Sequence, residues 1–353
     1  IHAIVGSFIP WFMIVMTIFV YGKKSERKKC LTIAPFALFS GLAFTVPYAC
    51  TAIFFGPEFP SLLGSLIGLL IVITAVKYRF LLPSDTWDFP AKENWPAGWS
   101  GKVQADRQEP SVPSMGLLKA ITPYLLVSAL LIITRKPELG IGDFLKRFDI
   151  SWPAIFGTEL SAGSTPLYLP GAMLIVSAII AILLYKMPLA AAKKAFNETF
   201  RVSFMAAFVL LFTIPMVRIY INSGINPLGL SSMPVALANW TASKAAAVWP
   251  LMSPFVGALG AFIAGSNTVS NLMLAEFQNS VATNLGLSNV VIVSLQAVGA
   301  AAGNMIAIHN VVAVSAVVGL MGKEGAFLRK TIIPTLYYLL ATGILGMILI
   351  RFG

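Results

Sequence analysis

The stretch PLMSPFVGALGAFIAGSNTVSNLMLAEFQNSVATNLGLSNVVIVSLQAVGAAAGNMIAIHN, from Pro250 to Asn310, decides the fold. Two apolar arms, Leu251 to Ala264 and Leu272 to Val281, flank a polar knot, GSNTVSN, from Gly265 to Asn271. Neither arm reaches the about 20 apolar residues that a helix needs to cross a bilayer. Together, over residues 251–284, they suit a re-entrant hairpin that dips to mid-membrane and returns. Ser266, Asn267, Thr268, Ser270 and Asn271 at its tip are tolerated at that depth only where buried in protein or lining a wet cavity. A second interruption, Gly303-Asn304, falls inside the apolar run from Val290 to Leu320 and predicts a discontinuous helix over 290–320. Paired breaks of this kind point to the midplane binding site of a secondary transporter.

The rest of the chain reads as membrane protein. It is 57% hydrophobic and 11% charged, where a soluble domain averages about 25% charged residues. The expected fold is an all-α polytopic membrane protein with about eight transmembrane helices beside the hairpin. Spans are expected at Ala3 to Tyr21, Leu31 to Phe55, Ser61 to Val76, Leu117 to Thr134, Gly171 to Tyr185, Ser203 to Ile221, Val290 to Leu320 and Thr331 to Ile350. Pro234 to Trp249 reads as a tilted or interfacial helix. The net charge of +11 does not indicate nucleic acid, because the basic residues sit in short clusters beside apolar runs. GKKSERKK (Gly22 to Lys29) is such a cluster, and the positive-inside rule assigns it to the cytoplasm, with Ile1 outside.

Between the spans lies one long polar stretch, Phe80 to Ser114, expected to be a cytoplasmic linker with a surface helix. Its tryptophans, Trp87, Trp95 and Trp99, suit the headgroup level. The expected organisation is a scaffold over 1–79, the linker over 80–116 and a transport region over 117–353. Cys30 and Cys50 lie about 30 Å apart along helix, beyond the under about 7 Å reach of a disulfide.

The chemistry concentrates at the two interruptions. Ser266 to Thr268 present hydroxyls, an amide and bare backbone N–H groups, and the return helix, expected to start near Val269, aims its positive dipole end there. That is a ready anion site, built from neutral donors with no full counter-charge. At the second break Gly303 permits close approach, Asn304 supplies an amide, and a half-helix begins near Met305. Gln296 lies two turns earlier. An anionic group is assigned to Ser266 to Thr268 and the other end of the guest to Asn304 or Gln296; the same residue types equally serve helix packing. His309 and Glu276 are candidates for proton coupling, the first otherwise a structural donor and the second otherwise a surface group. The chain has two histidines, no paired carboxylates, no metal-ligand spacing and no Walker-type loop. No enzyme, cofactor or metal is expected, and transport is expected to be secondary.

The wording GAFIAGSNTVSN, then LQAVGAAAGNMIAIHNVVAVSAVVGL, then GKEGAFLRKTIIP closely resembles the L-lactate permease family of bacterial 2-hydroxymonocarboxylate carriers. LAFTVPYACTAIFFGPEFPSLLG (Leu42 to Gly64) and the TWDFP and NWP wording between Thr86 and Pro96 are similar to the same family. The triplet Ser266 to Thr268 is also similar, more distantly, to the hairpin-tip triplet of divalent-anion/sodium symporters. The resemblance implies import of L-lactate, and of glycolate as an extension, by proton symport across a bacterial inner membrane. Family members carry a preceding apolar half with a Glu-Gly-Ala-Ala-Gly-Phe-Gly segment, so the chain is expected to be a C-terminal portion of such a permease. The alternatives are a sodium-driven carrier of another organic anion, or an intramembrane enzyme or inactive fragment.

Overall fold

The computed structural model describes residues 1–84, 87–89, 95, 116–157, 161–317 and 322–352. Its helices are α1 (His2–Val5), α2 (Ile9–Tyr21), α3 (Lys29–Thr32), α4 (Ala34–Phe55), α5 (Pro60–Lys77), α6 (Leu117–Arg135), α7 (Ile141–Lys146) and α8 (Pro170–Leu184). After these come α9 (Leu189–Asn222), α10 (Met233–Ala245), α11 (Trp249–Ala264), α12 (Asn267–Leu285), α13 (Asn289–Gly303), α14 (Ile308–Val317) and α15 (Glu324–Phe352). The only strands among the described residues are β1 (Ile150–Trp152) and β2 (Ala162–Ser164), a short antiparallel pair. The protein is an all-α, polytopic membrane protein.

Seven helical stretches among the described residues are long and apolar enough to cross a membrane: His2–Tyr21, Ala34–Phe55, Pro60–Lys77, Leu118–Arg135, Met233–Ala264, Asn289–Val312 and Glu324–Phe352. Six coincide with expected spans. The seventh differs from expectation. The tilted helix and the first hairpin arm run on as one apolar stretch of 32 residues, joined by a 3-10 turn at Ala246–Val248. That joint is kinked at both ends, Ala245 at φ −127° and Val248 at φ −112°, so α11 still begins a new direction. The expected span Gly171 to Tyr185 is the shorter α8, and Ser203 to Ile221 is the second half of the 34-residue α9. Large apolar side chains face outward throughout, Phe54 at 77% and Leu189 at 85% exposure, as lipid-facing helices require. Most of the expected linker helix, with Trp99, lies outside the described residues.

The chain packs as two compact units, neither contiguous in sequence. One comprises residues 1–45, 72–108 and 206–353; the other comprises 46–71 and 109–205. In the second, Phe59, Leu131 and Met173 form a small core, and the Ser177 hydroxyl donates to the Pro123 carbonyl at 3.0 Å. Glu58 pairs with Arg135, whose guanidinium also donates to the Tyr168 carbonyl at 2.7 Å and lies 3.8 Å from the Tyr168 ring centre. Both cysteines are free.

The first unit is held by small residues. A Cβ at Gly257 would strike the Gln296 carbonyl, one at Gly299 the Pro254 carbonyl, and one at Gly303 the Ala258 carbonyl. Three contacts of backbone on backbone bring α11 and α13 together, the small-residue packing that replaces hydrophobic drive inside a membrane. The N-terminal helices dock on α15, where Tyr337 donates to the Val5 carbonyl at 3.1 Å and the Tyr338 hydroxyl lies 2.7 Å from His2 Nδ1.

Candidate functional site

The polar knot forms a tight hairpin between α11 and α12. Gly265 ends α11 at φ +69°, a left-handed conformation that favours glycine. Ser266 then caps α12, its hydroxyl accepting from the Val269 N–H at 3.4 Å, while its carbonyl accepts from the Ser270 N–H at 3.0 Å. The return helix therefore starts at Asn267 rather than near Val269, because the serine cap satisfies the donor that would otherwise delay it. The N–H groups of Asn267 and Thr268 belong to the first turn, which a helix cannot pair internally. They stand at the positive end of a 19-residue helix. Thr268 is exposed, and Asn267 accepts from the Asn271 amide at 3.0 Å.

The second break is also present. α13 stops at Gly303, and residues 304–307 form a turn in which Met305 and Ile306 donate to carbonyls three residues back, at 3.1 Å each. The Asn310 amide donates to the Asn304 carbonyl at 3.1 Å, filling an acceptor that the broken ladder leaves open. Tip and break meet: a Cβ on Gly265 would fall 2.6 Å from His309 Nδ1. The amide oxygens of Asn271 and Asn304 are buried without a hydrogen-bond partner. A lone acceptor shut away from water is costly, and such an atom is served by a donor arriving with a guest. Glu276 faces outward on α12 and His309 is exposed beside the tip.

Ser270 and Gln296 are placed deeper. Both are fully buried in a chain of side-chain hydrogen bonds. The Trp249 indole donates to Gln278 Oε1 at 3.1 Å, Gln278 Nε2 to Gln296 Oε1 at 3.1 Å, Gln296 Nε2 to Ser270 Oγ at 3.2 Å, and Ser270 Oγ to the Gly257 carbonyl at 2.8 Å. Every donor points the same way, from the head of α11 to its middle by way of α12 and α13. The amide of Gln296 has both ends engaged, so of the two residues assigned to the far end of the guest Asn304 alone keeps an open acceptor. Trp249 and Gln278 were not singled out in the sequence. The signal was there only as a glutamine in an apolar helix.

The sequence model of the L-lactate permease family matches residues 1–352. The chain belongs to the L-lactate permease family. It is 30% identical to a putative L-lactate permease of Haemophilus influenzae, over 96% of this chain and 62% of that protein. It is 26% identical to the L-lactate permease of Bacillus subtilis, over 96% and 63%, and 24% identical to a glycolate permease of Escherichia coli, over 99% and 64%. The chain thus spans less than two thirds of the length of these relatives. No solved structure matches it. L-lactate permeases form a transporter family, not an enzyme family. Among the described residues no three His, Cys, Asp or Glu gather where they can hold a metal ion.

Proposed function

We propose that the chain carries small 2-hydroxymonocarboxylates, L-lactate first and glycolate as an extension, across a bacterial inner membrane in symport with a proton. The reading is carried by the meeting of the hairpin tip with the broken helix, Gly265 against His309, together with two buried amide oxygens that lack a partner, Asn271 on the return helix and Asn304 at the break. The Asn267 and Thr268 N–H groups hold the carboxylate, with the Ser266 and Thr268 hydroxyls beside them. Asn304 Oδ1, its acceptor open, accepts a hydrogen bond from the 2-hydroxyl, and Asn271 Oδ1 offers a second acceptor. Ser270 and Gln296 position the tip from below, and Gly303 lets the break approach α11. His309, at the junction of the two elements, is the better-placed proton carrier; Glu276 looks away from it. Relatives named for L-lactate and for glycolate support the substrate class.

In this mechanism the hairpin re-enters the membrane from one side, its tip at mid-depth. The elements over 206–317 move against the scaffold spans, so that the tip opens first outside and then inside. The second reading, sodium coupling, is favoured by the same two amide oxygens, hard ligands of the kind that alkali cations take. Uptake of radiolabelled L-lactate into liposomes containing the chain, beside liposomes containing the Bacillus subtilis relative, separates them. Accumulation is expected under an imposed pH gradient. Accumulation under a sodium gradient alone replaces the proton, and none at all, while the relative accumulates, removes transport from this chain.

A further inference from the structure

Trp249 touches no part of the proposed guest, yet it starts the buried hydrogen-bond chain that ends under the hairpin tip. It is the first residue of α11, directly after the kinked joint at Val248. Its buried indole meets the Phe277 ring edge-on, the ring centres 5.6 Å apart. Gln278, Gln296 and Ser270, which carry the chain onward, are fully buried. Amides shut in an apolar interior cost free energy unless each end is met. Here both are, since Gln278 Nε2 donates to the Ser253 carbonyl at 3.3 Å as well as to Gln296.

The chain can run in one sense only. An indole N–H donates and cannot accept, whereas the carbonyls of Ser253 and Gly257 accept and cannot donate. Inverting both amides would set an NH2 group against the Trp249 N–H. It would also take the donors away from Ser253 and Gly257, the Ser270 hydroxyl turning to Gln296 instead. Trp249 thus helps to orient two glutamines and, through them, the hydroxyl of Ser270.

Ser270 is where that orientation reaches the tip. Its N–H closes the first turn of α12 on the Ser266 carbonyl, and this turn carries the N–H groups of Asn267 and Thr268. Its hydroxyl bridges α13 and α11 at once, accepting from Gln296 and donating to the Gly257 carbonyl. α11 passes so close that a Cβ at Gly260 would strike the same hydroxyl. Holding Ser270 therefore sets the rotation of the turn and the direction in which its donors point.

We propose that Trp249 is a positioning residue of the hairpin tip. Through Gln278, Gln296 and Ser270, its indole N–H holds the first turn of α12 in register with α11 and α13. A buried network with every member satisfied rigidifies the parts that it joins. That the positioned donors receive a carboxylate rests on the function proposed above; the positioning does not.

The test places a thiol at the tip by Thr268→Cys, an exposed position, in a chain whose two cysteines are removed by Cys30→Ser and Cys50→Ser. The purified protein, in neutral detergent, is labelled with a maleimide. Trp249→Phe keeps a ring against Phe277 and loses the N–H, so labelling should quicken about fivefold, the worth of one hydrogen bond. Ser270→Ala should quicken it at least as much. The two together should label no faster than Ser270→Ala alone, because members of one network do not act additively. Should Trp249→Phe not fold, Gln278→Met carries the same cycle. An unchanged rate in these variants, or a double variant whose rate multiplies the two single effects, overturns the positioning. With the native cysteines and Thr268 in place, Trp249→Phe should raise the KM of L-lactate uptake by a similar factor and leave the maximal rate per folded molecule unchanged. Coupled labelling in a chain that takes up no lactate upholds the positioning and removes the carboxylate from the tip.

Discussion

His309 lies directly against Gly265, its Nδ1 2.6 Å from where a Cβ at 265 would stand. The contact locks the hairpin tip to the broken helix, and the left-handed backbone of Gly265 adds its own demand for glycine. Gly265→Ala should cost roughly 1–3 kcal/mol of stability and abolish lactate uptake. Adding His309→Ala should recover part of the stability, since the collision goes and the backbone strain stays. Unfolding midpoints of the two variants check this; an equal loss in both would show that the histidine does not press on the tip.

Asn304→Ala removes the open acceptor at the break. The apparent affinity for L-lactate should fall about tenfold, the worth of one hydrogen bond to a buried partner. Inhibition by propionate, which lacks the hydroxyl, should not change. Competition assays measure both, and a parallel fall for the two acids would take the hydroxyl away from Asn304.

Gln296 gives the opposite signature. Gln296→Leu removes one hydrogen bond to the Gln278 amide and one to the Ser270 hydroxyl, which keep the Ser253 and Gly257 carbonyls as partners, so the cost should be about 1–3 kcal/mol in thermal unfolding, the net worth of two hydrogen bonds. The preference between lactate and glycolate should persist in whatever protein remains folded. A changed preference with unchanged stability would make Gln296 a substrate contact.

In the second unit, Glu58→Gln leaves Arg135 without its charge partner. The arginine side chain is only 11% exposed and Glu58 32%, so the loss should be about 1–3 kcal/mol, below that of a fully buried pair. Proteolytic sensitivity within 46–71 and 109–205 should rise, and sites in the other unit should stay as protected as before.

Glu26 provides a pH test. The Lys23 N–H and, after it, the Trp87 indole hold its carboxyl below the usual carboxylate range. A carboxyl lowered on folding stabilises above its unfolded pKa and loses that contribution as pH falls through the folded value. Trp87 should therefore leave Glu26 only as the pH falls below the ordinary carboxylate range, seen as a fluorescence change that Trp87→Phe removes. Persistence of the change in Glu26→Gln would assign it to another group.

Much of this was legible in the chain itself. A glycine and an asparagine inside an apolar run announce a broken helix, because that is a local rule of backbone geometry; the cap at Ser266 was not read, and the return helix starts two residues ahead of the expected Val269. The partners of Gln296 were not legible. Which face of α13 turns toward α12 is settled by Gly257, Gly299 and Gly303 pressing on opposing carbonyls, a contact between segments about forty residues apart. The pairing of Glu58 was hidden for the same reason, its partner lying 77 positions away. Pro234 to Trp249 reads as a helix of its own with the hairpin after it, yet past the joint at Ala246–Val248 the helix resumes at once.

The glycine seam between α11 and α13 has a mechanical consequence. Three points of backbone touching backbone leave no side chain to act as a bearing, so the outer hairpin arm and the first half of the broken helix cannot slide past each other. They travel as one plate. In the proposed transport cycle, opening and closing then fall to the parts that the seam does not grip: the first turn of α12, the four-residue break after Gly303, and the kinked joint at Ala245 and Val248.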